Sequence, residues 1–208
     1  KNLNCLFLKD DKEFIFHKIK NKNLLLISFQ IASCYEKPSI KKGIYFPNGK
    51  KMSKSTMLKN IKKNVRWLKK KISKKTIIAI ENNNYFETGA YEVVTEASFL
   101  NKIAIENSLY LLFDYSHAKI TAYNKKILFK DYFHSFFLSK IIQIHFCGFS
   151  IKNDKIFDSH NKPKVSDYSE LEKLILHLPK FRYITIEYYK SLIILEEIVK
   201  RVKLIKNK

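Results

Sequence analysis

Glycine and cysteine are both scarce in this sequence, and each scarcity excludes a class of protein. Only four of the 208 residues are glycine, and the sequence contains neither the glycine-rich dinucleotide-binding fingerprint nor a Walker phosphate loop. The three cysteines, Cys5, Cys34 and Cys147, are odd in number and show no Cys-x-x-Cys spacing. That pattern argues against a disulfide framework and against a structural zinc knot. We therefore expect reduced thiols.

Arginine is also rare, although the chain carries a formal net charge of +21. Of its 40 basic residues only Arg66, Arg182 and Arg201 are arginine, whereas nucleic-acid recognition favours the planar guanidinium group. The most basic segment, residues 59–75, has apolar residues at helical spacing, so its lysines are predicted to form the solvated face of an amphipathic helix. Binding of a polyanion at this patch is the alternative, and nucleic acid is not favoured as a partner.

Long apolar runs are absent as well. Segments such as residues 109–113 and 133–138 are far shorter than the roughly 18 residues that a membrane span requires. No secretory signal is visible, because charges follow soon after Lys1 without a long apolar segment before them. Hydrophobic residues make up 46% of the sequence, enough for one sizeable core. We expect one soluble, cytoplasmic domain over residues 1–208, with no membrane segment.

Short runs rich in Ile, Leu, Phe and Tyr alternate with helical patterns along the chain. The runs predict buried strands at residues 24–29, 76–80, 109–113, 141–146 and 183–186. Helices are predicted at residues 55–72, 95–107, 128–138, 167–178 and 190–205. Asp167 and Glu170 predict a capping box at the fourth helix, and residues 35–55 are predicted to be a long loop. The alternation is typical of parallel βα units, hence an α/β barrel of the TIM type or an open doubly wound sheet.

Polar side chains follow four of the five predicted strands. In parallel α/β barrels the active site lies at the carboxyl ends of the strands and takes residues from several strands. Asp158 and His160 are two residues apart, so they face the same side if that segment is extended. Imidazoles and carboxylates without thiolate suit iron, manganese or zinc. The candidate metal ligands are Glu81, Asp114, His117, His145, Asp158, His160 and Glu187.

Each of these residues, taken singly, has a structural interpretation as a helix cap or a hydrogen-bonded core residue. One polynuclear site explains the whole set, whereas the structural interpretation needs a separate reason at each strand end. His17, His134 and His177 lie within helical or charged patterns and are interpreted as structural. Cys147 shares a strand face with His145 and could border the site, but we interpret it as a small buried core residue.

The motifs IENNNYFETGAYEVVTEASFL, LLFDYSHAKITAYN, QIHFCG, DSH and ITIEYY occur in this order. Together they resemble a bacterial family long known as domain of unknown function family 692. That family is associated with multinuclear non-haem iron-dependent oxidative enzymes and includes the methanobactin biosynthesis enzyme that makes oxazolone from a peptidyl cysteine. The resemblance extends from about Leu24 to the C-terminus and is strongest with a branch whose motifs read ENNNY, LLD-x-x-HA and DSH.

The resemblance implies a xylose-isomerase-like α/β barrel with two or three iron ions at the strand ends. Asn82 to Asn84 would hold the following loop against the site, and His117 stands where many members have an asparagine ligand. Gln30 replaces a family histidine, and the first strand is shortened or absent, so the barrel is expected to be incomplete at its N-terminus. The ligands carried over are Glu81, Asp114, His145, Asp158, His160 and Glu187.

Three functions follow from the sequence. The first is an iron-dependent oxidase or oxygenase that acts on a peptide or a small molecule, with a peptide or a partner protein as its binding partner. The second is a zinc-dependent sugar isomerase or abasic-site endonuclease on the same type of barrel. The third is a degenerate binding module without enzymatic activity, with residues 35–75 as its contact surface.

Overall fold

A computed structural model describes residues 2–20, 23–152 and 154–206 of the chain. Its central element is a sheet of five parallel strands, each within two residues of a strand predicted from the apolar runs. The strands are β1 (Leu26–Gln30), β4 (Ile77–Glu81), β5 (Tyr110–Asp114), β6 (Ile141–Phe146) and β9 (Tyr183–Ile186). They lie in the order β1-β4-β5-β6-β9, and every neighbouring pair is parallel. The predicted parallel α/β arrangement is therefore confirmed.

Helices precede the sheet and connect its strands. They are α1 (Lys9–Ile19), α2 (Lys54–Lys71), α3 (Ala97–Glu106), α4 (Tyr115–Lys125), α5 (Phe129–His134), α6 (Val165–Leu176) and α7 (Leu192–Lys206), with a 3-10 turn at Leu138–Lys140. The prediction missed α1 and α4, and it made α5 too long. Most residues of α4 are buried, so this helix has no polar face that would give a helical period. No helix in the described ranges is long and apolar enough to cross a membrane.

Two antiparallel hairpins stand outside the central sheet. The first pairs β2 (Ser39–Lys41) with β3 (Ile44–Phe46), and the second pairs β7 (Gly148–Lys152) with β8 (Lys155–Asn161). The first hairpin lies inside the segment that was predicted to be a long loop. Its turn residues Lys42 and Gly43 have φ angles of 50° and 78°, as a two-residue hairpin turn with matching twist requires. That loop prediction was therefore wrong in part.

The sheet is an open half barrel. Its edges are β1 and β9, and among the described residues no strand pairs with the outer side of either. These five strands are fewer than a closed barrel of this type contains. The sequence predicted a TIM-type barrel that is incomplete at its N-terminus; the structure has a parallel half barrel, and a full TIM barrel is not seen among the described residues.

The start of α6 differs from the predicted capping box. Asp167 is the third residue of the helix instead of its cap, and its Oδ2 accepts a hydrogen bond from the Lys164 backbone N–H at 2.7 Å. Glu170 does not complete the box, because its Oε2 lies 2.6 Å from the Tyr115 hydroxyl. The same hydroxyl lies 2.9 Å from Asp167 Oδ1. Both acids therefore anchor α6 to the first residue of α4.

The N-terminal segment is attached to α2 through one buried asparagine. The predicted amphipathic helix is confirmed, but its buried face includes the polar Asn64 beside the apolar residues. Asn64 Oδ1 accepts a hydrogen bond from the Phe7 backbone N–H at 2.9 Å. Its Nδ2 donates to the carbonyl oxygens of Leu3 and Cys5 at 2.8 and 2.6 Å. One side chain thus satisfies three backbone groups of an irregular segment.

We expect Asn64→Ala to lower the free energy of unfolding by roughly 2–4 kcal/mol, because a buried backbone group left without a partner costs about 1–3 kcal/mol. Urea unfolding followed by circular dichroism measures this change. Asn60→Ala is the matched control, since Asn60 is only partly buried and its amide donates one backbone hydrogen bond, to the Asn4 carbonyl. Equal midpoints for the two variants would contradict the anchoring role.

Candidate metal centre

Four neighbouring strands each present a polar side chain at the carboxyl end. Glu81 and Asp114 are the last residues of β4 and β5, His145 lies one residue before the end of β6, and Glu187 directly follows β9. The strand register pairs Asp114 with His145. Because the strands are parallel, all four side chains arrive at the same rim of the half barrel. The predicted convergence of strand ends is confirmed.

Asn82 fixes the position of Asp114 and the orientation of His117. Its Oδ1 accepts a hydrogen bond from the Asp114 backbone N–H at 2.7 Å, and its Nδ2 donates to the Asp114 carbonyl at 3.0 Å. Asp114 then caps α4, because its Oδ1 accepts from the His117 backbone N–H at 2.7 Å. His117 Nδ1 donates to the Asn82 carbonyl at 2.9 Å, and its Nε2 lies 3.3 Å from Asp158 Oδ2.

The loop after β4 is also held in place. Asn83 Nδ2 donates to the Ala32 carbonyl at 3.0 Å, and Thr121 Oγ1 accepts from the Tyr85 backbone N–H at the same distance. The expectation that the asparagine run holds this loop against the site is confirmed for Asn82 and Asn83.

The second hairpin brings Asp158 and His160 to the rim from β8. The backbone at the end of β8 approaches Gly148 of β7 closely. A Cβ atom on Gly148 would lie 2.7 Å from the Lys162 carbonyl oxygen, so a side chain there would displace the backbone. His160 has a φ of 46°, a left-handed conformation that non-glycine residues rarely adopt. These local constraints bring both side chains to the strand ends, as the two-residue spacing predicted.

All seven predicted side chains meet in one centre. Six of them form a closed ring in which carboxylates and imidazoles alternate, with N···O distances of 3.1 to 3.7 Å between neighbours. In order around the ring they are Glu81, His117, Asp158, His160, Glu187 and His145. The seventh, Asp114, is 1% exposed, and its two oxygens lie 3.7 Å from the Nδ1 atoms of His117 and His145. We call this arrangement the alternating ring.

Four carboxylates lie beside three imidazoles in this centre, and both burial and these neighbouring charges shift the pKa values of its groups. Burial raises the pKa of Asp114 despite the neighbouring His117. Burial alone would lower the pKa of His117 and His145, but the surrounding carboxylates outweigh it and raise both. Burial would raise the pKa of Asp158 and Glu187, but the adjacent imidazoles hold both below their usual values. Without a cation, the neighbouring carboxylates therefore favour the protonated forms of His117 and His145.

The donor atoms fit metal ions. His145 Nδ1 is buried and forms no hydrogen bond of regular geometry, although Glu187 Oε1 lies 3.1 Å away. Such an unpartnered nitrogen is rare in protein interiors and suits a ligand to a cation. Three groups of side chains, each with ligand atoms within 4.8 Å of one another, could hold an ion. They are Glu81–Asp114–His117, Asp114–His145–Glu187 and Cys147–His160–Glu187.

Gln30 occupies the end of β1, where the resemblance places a histidine. Its Nε2 donates a hydrogen bond to Glu81 Oε1 at 3.2 Å, so it contacts the alternating ring as a donor to a carboxylate. The three histidines interpreted as structural lie outside the ring. His134 and His177 pack against each other with ring centroids 5.4 Å apart, and His17 is exposed on α1.

Two further side chains border the centre and were not among the predicted site residues. Cys147 is 1% exposed and belongs to the third ligand group, and the Tyr189 ring lies 5.4 Å from the His160 ring between centroids. Tyr189 is 74% exposed, so it stands at the entrance of the centre. Each follows a predicted ligand by two residues, Cys147 after His145 and Tyr189 after Glu187, and that spacing was the available signal.

A cavity of about 280 Å³ opens beside the alternating ring. On one side it is bounded by ring residues and on the other by the turn of the first hairpin. Aromatic and polar side chains complete its wall, together with one lysine. The principal lining residues are Gln30, Lys42, Tyr45, Asn83, Asn84, Phe86, His117, Phe157, Asp158 and His160.

The fold is similar to that of solved structures, 13 chains of which match. One is the crystal structure of 3-keto-D-glucoside 4-epimerase, YcjR, from E. coli in its apo form, with a TM-score of 0.53 and 10% sequence identity. The match covers 87% of this chain and 63% of the epimerase chain, and at this identity it concerns the fold alone. It supports the mixed α/β fold with a parallel half-barrel sheet. No match was found among curated proteins.

A family model gives the identity that the geometry leaves open. The model described as "RiPP precursor modification enzyme MbnB/TglH/ChrH" matches residues 52–208, where RiPP stands for ribosomally synthesised and post-translationally modified peptide. The matched region contains every member of the alternating ring and extends over more than half of the chain. It also agrees with the resemblance to methanobactin-related enzymes in the sequence. The chain therefore belongs to the MbnB/TglH/ChrH family of RiPP precursor modification enzymes.

Proposed function

We propose that this protein is a metal-dependent enzyme that oxidatively modifies a peptide, with two or three iron ions as its cofactor. The alternating ring carries this proposal. Together with Asp114 it brings four carboxylates and three imidazoles into one centre, with N···O distances of 3.1 to 3.7 Å between neighbours, and these donor types are those of non-haem iron ligands. The family description supports the peptide as substrate.

In this proposal different groups of residues in the centre bind different metal ions. Glu81, Asp114 and His117 hold one ion, and His145 and Glu187 hold a second together with Asp114. Bound iron would supply redox chemistry with dioxygen, which the side chains themselves cannot perform.

Residues around the ring keep its ligands in place. Asn82 orients His117 through its backbone carbonyl and fixes Asp114 through its side chain. Burial of Asp114 excludes water from the inner side of the centre. Ligands whose positions are fixed before a metal binds lose little freedom on binding it.

The peptide would enter through the cavity beside the ring. Its volume of about 280 Å³ accommodates a side chain with its flanking backbone but not a folded domain. Lys42, on the hairpin turn, can attract a carboxylate of the peptide, while Phe86 and Phe157 provide apolar contact. A cysteine side chain is the group that the family resemblance implies for modification.

The other two functions are less well supported. A zinc-dependent isomerase or endonuclease shares the fold type, but the epimerase similarity rests on 10% identity and says nothing of chemistry. A binding module without activity gives no reason for a buried His145 Nδ1 that lacks a hydrogen bond and lies among possible metal ligands. Zinc and manganese remain alternatives to iron as the bound metal.

We expect protein purified without oxygen, added metal or chelator to contain at least two iron ions per chain. His145→Ala and His160→Ala should each remove at least one ion, because each deletes an imidazole that would bind metal in the alternating ring. Inductively coupled plasma mass spectrometry measures the metal content. His177→Ala is the matched control, since this histidine packs against His134 outside the ring. Unchanged iron in both ring variants would refute the assignment, and zinc alone would favour hydrolytic or isomerase chemistry.

Metal binding is expected to release protons. The neighbouring carboxylates raise the pKa of His117 to about 10 and also raise the pKa of His145, so both imidazoles favour the protonated form without metal, and a cation must displace protons to reach the nitrogens. Affinity should therefore fall as the pH is lowered and rise as it increases. Calorimetric titration with ferrous or zinc ion, in buffers of different ionisation enthalpy, counts the protons. Binding without proton release would contradict the charge state proposed for the ring.

Peptide modification can be tested directly by mass spectrometry. Iron-loaded protein, incubated in air with a set of cysteine-containing peptides, should produce a mass change located on cysteine in at least one of them. The same peptides with serine in place of cysteine, and the His145→Ala protein, serve as the two controls. Modification that persists with His145→Ala would separate the activity from this centre.

A further inference from the structure

We propose that Cys147 supplies a thiolate to one of the metal ions, so that the ion held by Cys147, His160 and Glu187 has a mixed sulfur, nitrogen and oxygen environment. The inference rests on the proposed function, because it assumes that the alternating ring binds metal. It assigns to Cys147 a role beyond that of the small core residue that the sequence suggested.

Geometry is the first support for this assignment. The Cys147 sulfur, a His160 ring nitrogen and a Glu187 carboxylate oxygen all lie within 4.8 Å of one another, close enough for one ion to contact all three after small side-chain rotations. Two members already touch in the ring, where His160 Nε2 lies 3.6 Å from Glu187 Oε2. Access is open, since the His160 side chain is 34% exposed.

The surroundings of Cys147 are unusual for a core cysteine. Its sulfur lies 3.2 Å from Ser116 Oγ and 3.9 Å from Asp158 Oδ1, so it faces polar atoms of the centre. Cys34 offers a contrast within the same chain. It is equally buried, but its sulfur faces the Gly89 carbonyl at 3.5 Å, and it belongs to none of the ligand groups found among the described residues.

Ser116 lies beside the Cys147 sulfur. Its side chain is fully buried on α4, and its hydroxyl lies within reach of both the Cys147 sulfur and the Cys147 carbonyl oxygen, the latter at 2.8 Å. When the sulfur carries a metal in place of its proton, the serine hydroxyl can rotate and donate to it. Hydrogen bonds of this kind orient metal ligands and tune their basicity.

Local backbone geometry aligns the three ligands. Gly148, directly after Cys147, permits the close approach of residues 161 and 162 at the end of β8. That approach brings His160 over the end of β6, beside Cys147. A sulfur ligand would make this ion different from its neighbours, because thiolate favours zinc, iron and other borderline metals over the hard cations that carboxylates prefer.

Cobalt substitution tests the assignment without using activity. Anaerobic protein titrated with cobalt(II) should develop a near-ultraviolet sulfur-to-cobalt charge-transfer band. Cys147→Ala should abolish the band while cobalt remains bound at the other ligands, as measured by elemental analysis. The double variant Cys5→Ser/Cys34→Ala leaves Cys147 as the sole cysteine and should retain the band in full. This control keeps the test decisive even if Cys147→Ala fails to fold.

The outcomes separate this inference from the function on which it rests. Bound cobalt without a sulfur band in the wild-type protein, or a band that survives Cys147→Ala, would overturn the thiolate ligand and leave the metal centre intact. No bound cobalt in the wild-type protein would overturn both the thiolate ligand and the metal centre. X-ray absorption of the zinc-loaded protein gives a second measurement, in which a sulfur shell at about 2.3 Å is expected and its absence would count against the thiolate.

Discussion

The close packing of four buried or half-buried carboxylates beside three imidazoles is the constraint on which the rest of this structure depends. Charged groups are costly in a protein interior unless each meets an opposite charge or a hydrogen-bond donor. The alternating ring satisfies that requirement, since every carboxylate in it touches two imidazoles and every imidazole touches two carboxylates. In the proposed function metal ions take the place of the imidazole protons, so one arrangement stabilises the centre with or without its cofactor.

Such a ring requires precise placement, and the structure obtains it from backbone contacts. Asn82 joins the ends of β4 and β5 with two hydrogen bonds, and its carbonyl orients the His117 imidazole with a third. Gly148 permits the close approach of the second hairpin, and His160 adopts a left-handed conformation to complete the circle. A strained backbone at a functional residue persists only where its surroundings hold it. The second hairpin is therefore part of the centre as much as the strands are.

The sequence predicted the five strands and the four polar residues at their carboxyl ends for one physical reason. Parallel strands buried on both faces appear as apolar runs, and a polar residue at the end of such a run must lie at the rim. Elements without a regular hydrophobic pattern were missed. Most residues of α4 are buried, so its sequence shows no helical period, and the turn at Lys42 and Gly43 has no strong hairpin signature. The order of residues around the ring depends on how the second hairpin crosses the rim, and no local pattern in the sequence encodes that crossing.

The six ring members contact one another although the sheet is open. Ring residues come from β4, β6, the first turn of α4, the second hairpin and the end of β9, which are contiguous in the described structure. The edge strand β1 contributes Gln30, whose amide donates to Glu81 without being a member of the ring. Closure of the ring is thus provided by the hairpin and not by further strands. Gln30, which stands where the resemblance implies a histidine, is a neighbour of the ring, and the six ring members are in contact with one another beside it.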